Sequence, residues 1–237
     1  MSGKVWLVGA GPGAPDLLTV RALRVLERAQ IVFHDALVDP RIVALTTTAE
    51  QVAVGKRCGG HSTAQRFINK RLIDAAQTYE TVVRLKGGDP MLFGRAQEEI
   101  DALLAAGVAV EVVPGVTSAF AASADSLRSL TARGVARSVT FVTPRVGEGE
   151  DRSTWVRAAV AADTAVIYMA SHEAAAIGAL LIEHGLAAHT PVAIVENASL
   201  AQRQILAATL ATLGQVAQRL HGGPALIVVG ENFRAIV

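Results

Sequence analysis

The stretch VRLKGGDPMLFGR, residues 83–95, decides the fold because it joins an apolar, strand-like run to a turn with unusual requirements. Gly87 and Gly88 remove two side chains at the end of the run, so another group can approach the main chain closely. Pro90 favours extended geometry in the residue before it, which presets the direction of the Asp89 carboxylate. A tight turn with a helix cap would use the same residues, so the rest of the chain must distinguish a structural turn from a binding site.

Short β-rich runs alternate with helix-like segments on both sides of this stretch. Strands are predicted near residues 5–8, 31–33, 51–54, 81–85, 110–113, 139–142, 165–168, 192–195, 204–208 and 225–229. The alternation predicts an α/β fold with a mostly parallel sheet and helices on both of its faces. The last two runs leave room for only one helix between them, so we expect a mixed sheet in the second half.

Two of the intervening segments carry apolar residues at helical spacing. One predicted face consists of Leu18, Ala22, Val25, Leu26 and Ala29. Another consists of Ile100, Leu103 and Leu104, and Gly107 is placed to end that helix.

The segment VVPGVTSA interrupts the pattern, and its Pro114-Gly115 pair is a natural hinge. We therefore predict two α/β domains of similar size with a cleft between them. The N-terminal domain, residues 1–115, contains the glycine loop, and the C-terminal domain, residues 116–237, contains the mixed sheet.

Composition and charge exclude several classes of protein. The net charge is only +1, and no basic run is present, which argues against a nucleic-acid partner. The single Cys58 excludes an internal disulfide and a multi-cysteine metal site, and we expect no metal. No segment approaches the roughly 20 apolar residues of a membrane span, and the N-terminal apolar run is too short for a signal peptide. We therefore expect a cytoplasmic protein with no membrane partner.

The glycine loop VWLVGAGPGAPDLLT, residues 5–19, has competing interpretations. It contains G-x-G-x-x-A between a predicted strand and a predicted helix, and Asp35 follows the next strand where a dinucleotide-binding fold holds its ribose-binding acid. These features favour a nicotinamide-dependent oxidoreductase. Pro12 and Pro15 count against it, because neither has an N–H to donate to a pyrophosphate. A ligand without phosphates, or a purely structural turn, remains open at this point.

Seven segments taken together are more specific than any one of them. In chain order they are VGAGPGAPDLLTVRA, FHDALV, VGKRCGGHS, RLKGGDPMLFGR, VVPGVTSA, IYMA and VAIVENAS. The set resembles the uroporphyrinogen-III C-methyltransferases of the tetrapyrrole methylase family over nearly the whole chain. The resemblance implies the class III methyltransferase fold, with S-adenosylmethionine bound in a cleft between two α/β domains, and it implies a homodimer.

The resemblance also implies a reaction. Two methylations would convert uroporphyrinogen III to precorrin-2, with S-adenosylhomocysteine as the second product, on the routes to sirohaem and cobalamin. A sister precorrin methyltransferase of the corrin pathway is the alternative within the family.

Residue roles follow from the same resemblance. Cofactor contacts are implied for Pro12, Gly87, Gly88, Asp89, Leu92, Thr117, Ser118, Met169 and Ala198, the last through its backbone. Asp35 matches the acid proposed as proton acceptor, and Lys56 matches the proposed proton donor. Because the substrate carries many carboxylates, substrate contacts are expected from Arg57, Arg84, Arg95, Thr131 and Arg133.

The segment SLTAR, residues 129–133, departs from the family pattern. Ser129 stands where the family has a proline, and Ala132 stands where it has a histidine. The cofactor motifs are nearly intact, whereas the stretch expected to shape the acceptor pocket differs. The sequence therefore predicts methyl transfer and leaves the exact tetrapyrrole open.

Overall fold

The computed structural model of the protein describes residues 3–54, 62–145 and 154–234. The chain divides into two compact units, Met1–Thr117 and Ser118–Val237, and each is described separately.

The first unit is built on a five-stranded sheet. Its strands are β1 (Lys4–Gly9), β2 (Ile31–His34), β3 (Glu50–Ala53), β4 (Thr81–Lys86) and β5 (Ala109–Val113). Its helices are α1 (Val20–Glu27), α2 (Pro40–Val43), α3 (Ser62–Thr78) and α4 (Ala96–Ala105). The strand order is β3-β2-β4-β1-β5, and every neighbouring pair is parallel.

Helices cover both faces of this sheet, as the alternating pattern predicts. The cluster on one face contains residues of α1 and α2, and the cluster on the other contains residues of α3 and α4. The predicted face of α1 is confirmed, since Ala22, Val25 and Leu26 are buried, and the Thr19 hydroxyl caps the helix by accepting a hydrogen bond from Ala22 N at 3.1 Å.

Helix α4 differs from its prediction in one respect. Gly107 ends the helix as expected, with φ of +70° and its N–H donating to the carbonyl of Leu104. The Leu104 side chain, however, is 59% exposed, and the buried residues of the helix are Ala96, Glu99 and Leu103. The apolar face is therefore rotated from the predicted one, and it includes a carboxylate.

The second unit also contains a five-stranded sheet, in the order β6-β7-β10-β8-β9. Its strands are β6 (Val139–Val142), β7 (Thr164–Ile167), β8 (Pro191–Glu196), β9 (Gln204–Thr209) and β10 (Ala225–Gly230). Its helices are α5 (Ser118–Asp125), α6 (Thr154–Ala161), α7 (Ala174–Glu183) and α8 (Leu213–Ala217). Only β6 and β7 pair in parallel, so the mixed sheet predicted for this half is confirmed.

The layers of the second unit repeat those of the first. Helices α6, α7 and α8 contribute to the cluster on one face of the sheet, and α5 and Phe233 contribute to the cluster on the other. None of the helices in the described ranges is long and apolar enough to cross a membrane.

Candidate active site

The two glycine-rich motifs of the sequence pair with each other in the first unit. Gly11 N donates to Gly88 O at 3.1 Å, and Gly88 N donates to Gly11 O at 2.8 Å. Both residues have left-handed backbones, with φ of +73° and +67°, which glycine adopts without strain. The motifs therefore form one structure at the carboxyl ends of β1 and β4, the edge at which parallel α/β sheets bind ligands. Pro12, beside this bridge, is half-buried.

Gly9 and Gly115 are packed so closely against each other and against the Gly88 carbonyl that neither has room for a side chain. A Cβ atom added to Gly9 would lie 2.6 Å from Gly115 Cα and 2.8 Å from Gly88 O. On the other side, a Cβ on Gly88 would meet nothing within 4 Å, and one on Gly87 would meet nothing closer than Leu37 at 3.6 Å. One side of this turn therefore packs against Gly9 and Gly115, and the side toward which Gly87 and Gly88 would direct a Cβ is open. A main-chain contact with a ligand requires such an open side.

The Asp89 carboxylate fastens this turn to its surroundings. Its Oδ1 accepts from Met91 N at 2.8 Å, and its Oδ2 accepts from Gly115 N at 2.9 Å. Both oxygens therefore accept a hydrogen bond from the backbone, which confirms that Asp89 stabilises the turn. Each carboxylate oxygen can accept a second hydrogen bond, so direct contact with a cofactor stays a prediction.

The loop between Asp89 and α4 carries backbone strain. Phe93 and Arg95 have φ of +53° and +55° although neither is glycine. Arg95 pairs with Glu98 through two contacts of 2.7 Å, and this pairing raises the pKa of Arg95. Leu92 is half-buried in the same loop. Strained residues of this kind persist at ligand sites, and Arg95 would have to exchange Glu98 for a substrate carboxylate.

Asp35 follows β2 at the same edge of the sheet. It lines a hollow of about 360 Å³ together with His34, Ala36, Val38, Pro40, Val43, Ala44 and Gln51. Its side chain is 29% exposed, and its Oδ1 accepts from Arg84 Nη2 at 2.5 Å. The Asp35 carboxylate thus reaches solvent at the sheet edge while a buried guanidinium holds it, and its role as proton acceptor stays a prediction.

Arg84, predicted as a substrate contact, is buried beside Asp35, and its direct contact with the substrate stays a prediction. Its side chain is 3% exposed, and besides Asp35 it donates to Glu99 Oε1 at 3.1 Å. Burial opposes its charged form, but the charges of Asp35 and Glu99 outweigh burial and raise the pKa of Arg84. Arg84 therefore holds the Asp35 side chain in place.

Glu99 and Lys86, which the sequence analysis did not identify, belong to the same group of ion pairs as Arg84. Glu99 is fully buried, and Lys86 Nζ donates to both of its oxygens at 3.0 Å. Burial, and then the nearby charge of Arg84, lower the pKa of Lys86. The available signal was the placement of Arg84 and Lys86 two residues apart in an apolar strand, which sends both side chains to one face.

In the second unit, the predicted cofactor residues lie at strained turns after β7 and β8. Met169 has φ of +55° and is 41% exposed. Ala198 is buried between Asn197 and Ser199, whose φ angles are +52° and +71°. Asp125 holds the second turn, since its Oδ2 accepts from Ser199 N at 2.6 Å. These turns present backbone and a Met side chain, and their contact with a cofactor stays a prediction.

The remaining predicted residues are more dispersed. Thr117 is buried, and Ser118 begins α5. Thr131 and Arg133 are exposed, on either side of Ala132. Ala132 exchanges backbone hydrogen bonds of 2.9 and 2.8 Å with Ala136, so the turn closes without any side chain at position 132.

Lys56 and Arg57, predicted as proton donor and substrate contact, lie outside the described residues. Within the described part of the chain, no group of three or more His, Cys, Asp or Glu side chains could hold a metal ion.

Comparison with known proteins assigns the chain to a family. The family described as Tetrapyrrole (Corrin/Porphyrin) Methylases matches residues 4–214. Siroheme synthase 1 of Yersinia enterocolitica is 45% identical over 230 residues, which cover 97% of this chain and 48% of that protein. The chain thus spans about half the length of the curated relatives it matches.

Solved structures give the same result. The native form of uroporphyrin III C-methyl transferase from Thermus thermophilus has a TM-score of 0.86 at 39% identity, with 98% of this chain and 99% of that chain covered. The Thermus thermophilus enzyme complexed with S-adenyl homocysteine has a TM-score of 0.84 at 38% identity, with 98% and 94% covered.

Two α/β units with paired glycine loops at a sheet edge define a ligand-binding α/β protein. The chain belongs to the tetrapyrrole (corrin/porphyrin) methylase family, since the family match covers most of its length. The resemblance read from the seven segments is confirmed.

Proposed function

We propose that this protein is an S-adenosylmethionine-dependent C-methyltransferase that converts uroporphyrinogen III to precorrin-2 by two methylations. The main support is its likeness, over nearly the full length of both chains, to a uroporphyrin III C-methyl transferase. The open space in front of Gly87 and Gly88 adds to this support, because it fits a ligand that contacts bare backbone.

The predicted cofactor residues supply the kind of surface that S-adenosylmethionine requires. In this proposal, Gly87, Gly88 and Pro12 contact it through the main chain, and Asp89 faces its positively charged amino-acid end. Leu92, Thr117, Ser118, Met169 and the Ala198 backbone complete the contacts. When bound, the sulfonium supplies an electrophilic methyl group and needs no metal to activate it.

The protein must then align the acceptor and remove a proton. A new carbon–carbon bond forms at the pyrrole carbon, the carbon–sulfur bond breaks, and its electron pair remains on sulfur. The methylated carbon is then fully substituted, so the positively charged ring system becomes neutral by losing a proton from another of its positions to Asp35. Since Arg84 Nη2 occupies Oδ1, we assign the proton to Oδ2 of Asp35. Lys56 would return a proton elsewhere on the ring system, and Arg57, Arg95, Thr131 and Arg133 would bind substrate carboxylates.

The decisive experiment is incubation of the protein with uroporphyrinogen III and labelled S-adenosylmethionine. We expect a twice-methylated tetrapyrrole, identified by mass spectrometry and by its absorption spectrum. No product from uroporphyrinogen III, together with methylation of a later corrin precursor, would place the protein with a sister activity.

Ala132 supplies the one specific observation in favour of that alternative. A histidine there would add a hydrogen-bond donor and a titratable charge beside an acidic substrate, and alanine offers neither. Ala132→His should leave the backbone turn intact, because the turn closes through main-chain hydrogen bonds. If the substitution restores turnover to an otherwise inactive protein, the histidine is essential in this family. Normal turnover with Ala132 would show that the histidine is dispensable.

We also propose that the enzyme is a cytoplasmic homodimer, as the family resemblance implies. Sedimentation velocity at micromolar concentration should give twice the mass of the 24.7 kDa chain. A monomer under those conditions would contradict this part of the proposal.

A further inference from the structure

A closed group of charged side chains joins Asp35 to helix α4 inside the first unit. Arg84 donates from Nη2 to Asp35 Oδ1 at 2.5 Å and from Nε to Glu99 Oε1 at 3.1 Å. Lys86 Nζ lies 3.0 Å from each Glu99 oxygen. The group contains two cations and two anions, and only the Asp35 side chain is substantially exposed to solvent.

A buried group of ion pairs contributes little net stability to a fold, because its members must be desolvated. Removing ions from water costs several kcal/mol each, and apolar residues of similar volume would often stabilise a fold as well or better. Here every member is also hydrogen-bonded, since Gln65 Nε2 donates to Glu99 Oε1 at 3.1 Å and Arg84 donates to the Leu85 carbonyl at 3.2 Å. The group ends at a solvent-reaching carboxylate at the sheet edge, which points to a role in chemistry.

We propose that Glu99 is a positioning residue for proton transfer, acting on Asp35 through Arg84. This inference rests on the proposed function, in which Asp35 accepts the proton. Glu99 fixes the guanidinium through Nε, so that Nη2 points at Asp35 Oδ1. Its negative charge also offsets part of the positive charge that Arg84 and Lys86 place near the Asp35 carboxylate.

The other charged groups around Asp35 are few among the described residues. His34 ends β2, and its Nδ1 lies 3.4 Å from the backbone oxygen of Asp35. On α2, Arg41 and the preceding Asp39 pair with each other at 3.0 Å. Arg84 stays charged across the working pH range, because a guanidinium does not lose its proton in proteins. The other titratable neighbours of Asp35 are therefore Lys86, Glu99 and His34.

Two substitutions that each remove one charge test the proposal, because they predict opposite shifts. Arg84→Gln removes the cation beside Asp35, so the acidic limb of the kcat profile for methyl transfer to uroporphyrinogen III should move to higher pH by about one unit or more. Glu99→Gln removes the anion behind Arg84, so the limb should move to lower pH. At neutral pH, kcat of Glu99→Gln should fall by roughly threefold or more, because a weaker base accepts the proton less readily.

A double variant separates charge from folding. Glu99→Gln with Lys86→Met again leaves one cation and one anion in the group, so the acidic limb should return toward its wild-type position. It also avoids an unpaired buried Lys86 if Glu99→Gln alone fails to fold. Asp101→Asn is the matched control on α4, because Asp101 is exposed and contacts Gln97. Its pH profile should equal that of the wild type.

Binding of S-adenosylhomocysteine, measured by calorimetry, reports whether each variant is folded. Opposite shifts in the two single variants, with partial reversal in the double variant, would establish the positioning role. Shifts in one direction, or a fall in kcat that merely follows the melting temperature, would overturn it. A wild-type protein that methylates no tetrapyrrole would instead count against the proposed function.

Discussion

Asp89 combines a structural task with a proposed binding task. Its carboxylate accepts from two backbone amides, those of Met91 and Gly115, and the same carboxylate is proposed to face the cofactor. Asp89→Ala should lower the free energy of unfolding by about 1–3 kcal/mol, because two backbone amides lose their hydrogen-bond acceptor. It should also weaken S-adenosylhomocysteine binding about tenfold or more, measured by calorimetry, because the proposed contact with the cofactor and the hydrogen bonds that hold the turn are both lost.

Asp163 provides the control for that prediction. Its carboxylate also accepts from two backbone amides, those of Arg137 and Ser138, at 2.8 and 2.9 Å. Asp163→Ala should therefore destabilise the apo protein without weakening the binding of S-adenosylhomocysteine. If Asp89→Ala costs no more affinity than Asp163→Ala does, Asp89 is only a turn residue.

The same aspartate predicts a dependence of stability on pH. Hydrogen bonds from the Arg137 backbone and the Ser138 side chain lower the pKa of Asp163 below its usual value of 3.8. Since the folded pKa is the lower one, this stabilisation is complete above the unfolded pKa and is lost as pH falls through the folded pKa. The difference in melting temperature between wild type and Asp163→Asn should therefore shrink as pH falls from about 5 toward 2. A difference that stays constant over this range would contradict the assignment.

Single residues also mark where sequence analysis stops. The apolar spacing of α4 predicts a buried face, but it does not reveal that Glu99 belongs to that face. A buried carboxylate is tolerable only because Arg84, Lys86 and Gln65 neutralise or bond it, and those partners are 13 to 34 positions away in the chain. Nothing local in the sequence connects them, so the pairing of Arg84 with Glu99 is not predictable from the sequence.

At the scale of elements, two glycines in the site should respond differently to the same change. Gly115→Ala places a methyl group against Gly88 O and 2.8 Å from Gly9 Cα, so it should lower the free energy of unfolding by about 1–3 kcal/mol or more. Gly87→Ala meets nothing closer than 3.6 Å, so apo stability should hardly change.

Ligand affinity should distinguish these variants in the opposite sense. The methyl group of Gly87→Ala enters the space proposed for the cofactor, so S-adenosylhomocysteine binding should weaken by about tenfold while the urea midpoint stays near that of the wild type. Unchanged affinity in Gly87→Ala would remove this glycine from the proposed site.

The elements themselves are largely predictable from the sequence. All ten predicted runs occur as strands, because each is a short apolar or β-branched run bounded by turn residues. The order β3-β2-β4-β1-β5 is not predictable in the same way. It depends on contacts such as the Gly11–Gly88 bridge, between residues far apart in the chain. The close packing of Gly9, Gly88 and Gly115 likewise becomes visible only in three dimensions.

At the scale of the whole molecule, ligand binding should appear as stability. A ligand that binds only the folded protein adds about 2.7 kcal/mol at a concentration 100 times its Kd. S-adenosylhomocysteine should therefore raise the melting temperature in a concentration-dependent manner, whereas NAD should not. Stabilisation by NAD alone would revive the oxidoreductase interpretation of the glycine loop and its Asp35.

The position of β1 inside its sheet has a consequence for synthesis on the ribosome. Of the ten strands in the described part of the chain, β1 is translated first, yet Lys4 pairs with Thr81 on one side and with Ala109 on the other. At about 5–20 residues per second, the first of these partners is translated roughly 4–15 s later. During that interval the nascent apolar strand has neither neighbour, so we expect it to depend on the exit tunnel and on chaperones such as those that bind emerging hydrophobic segments.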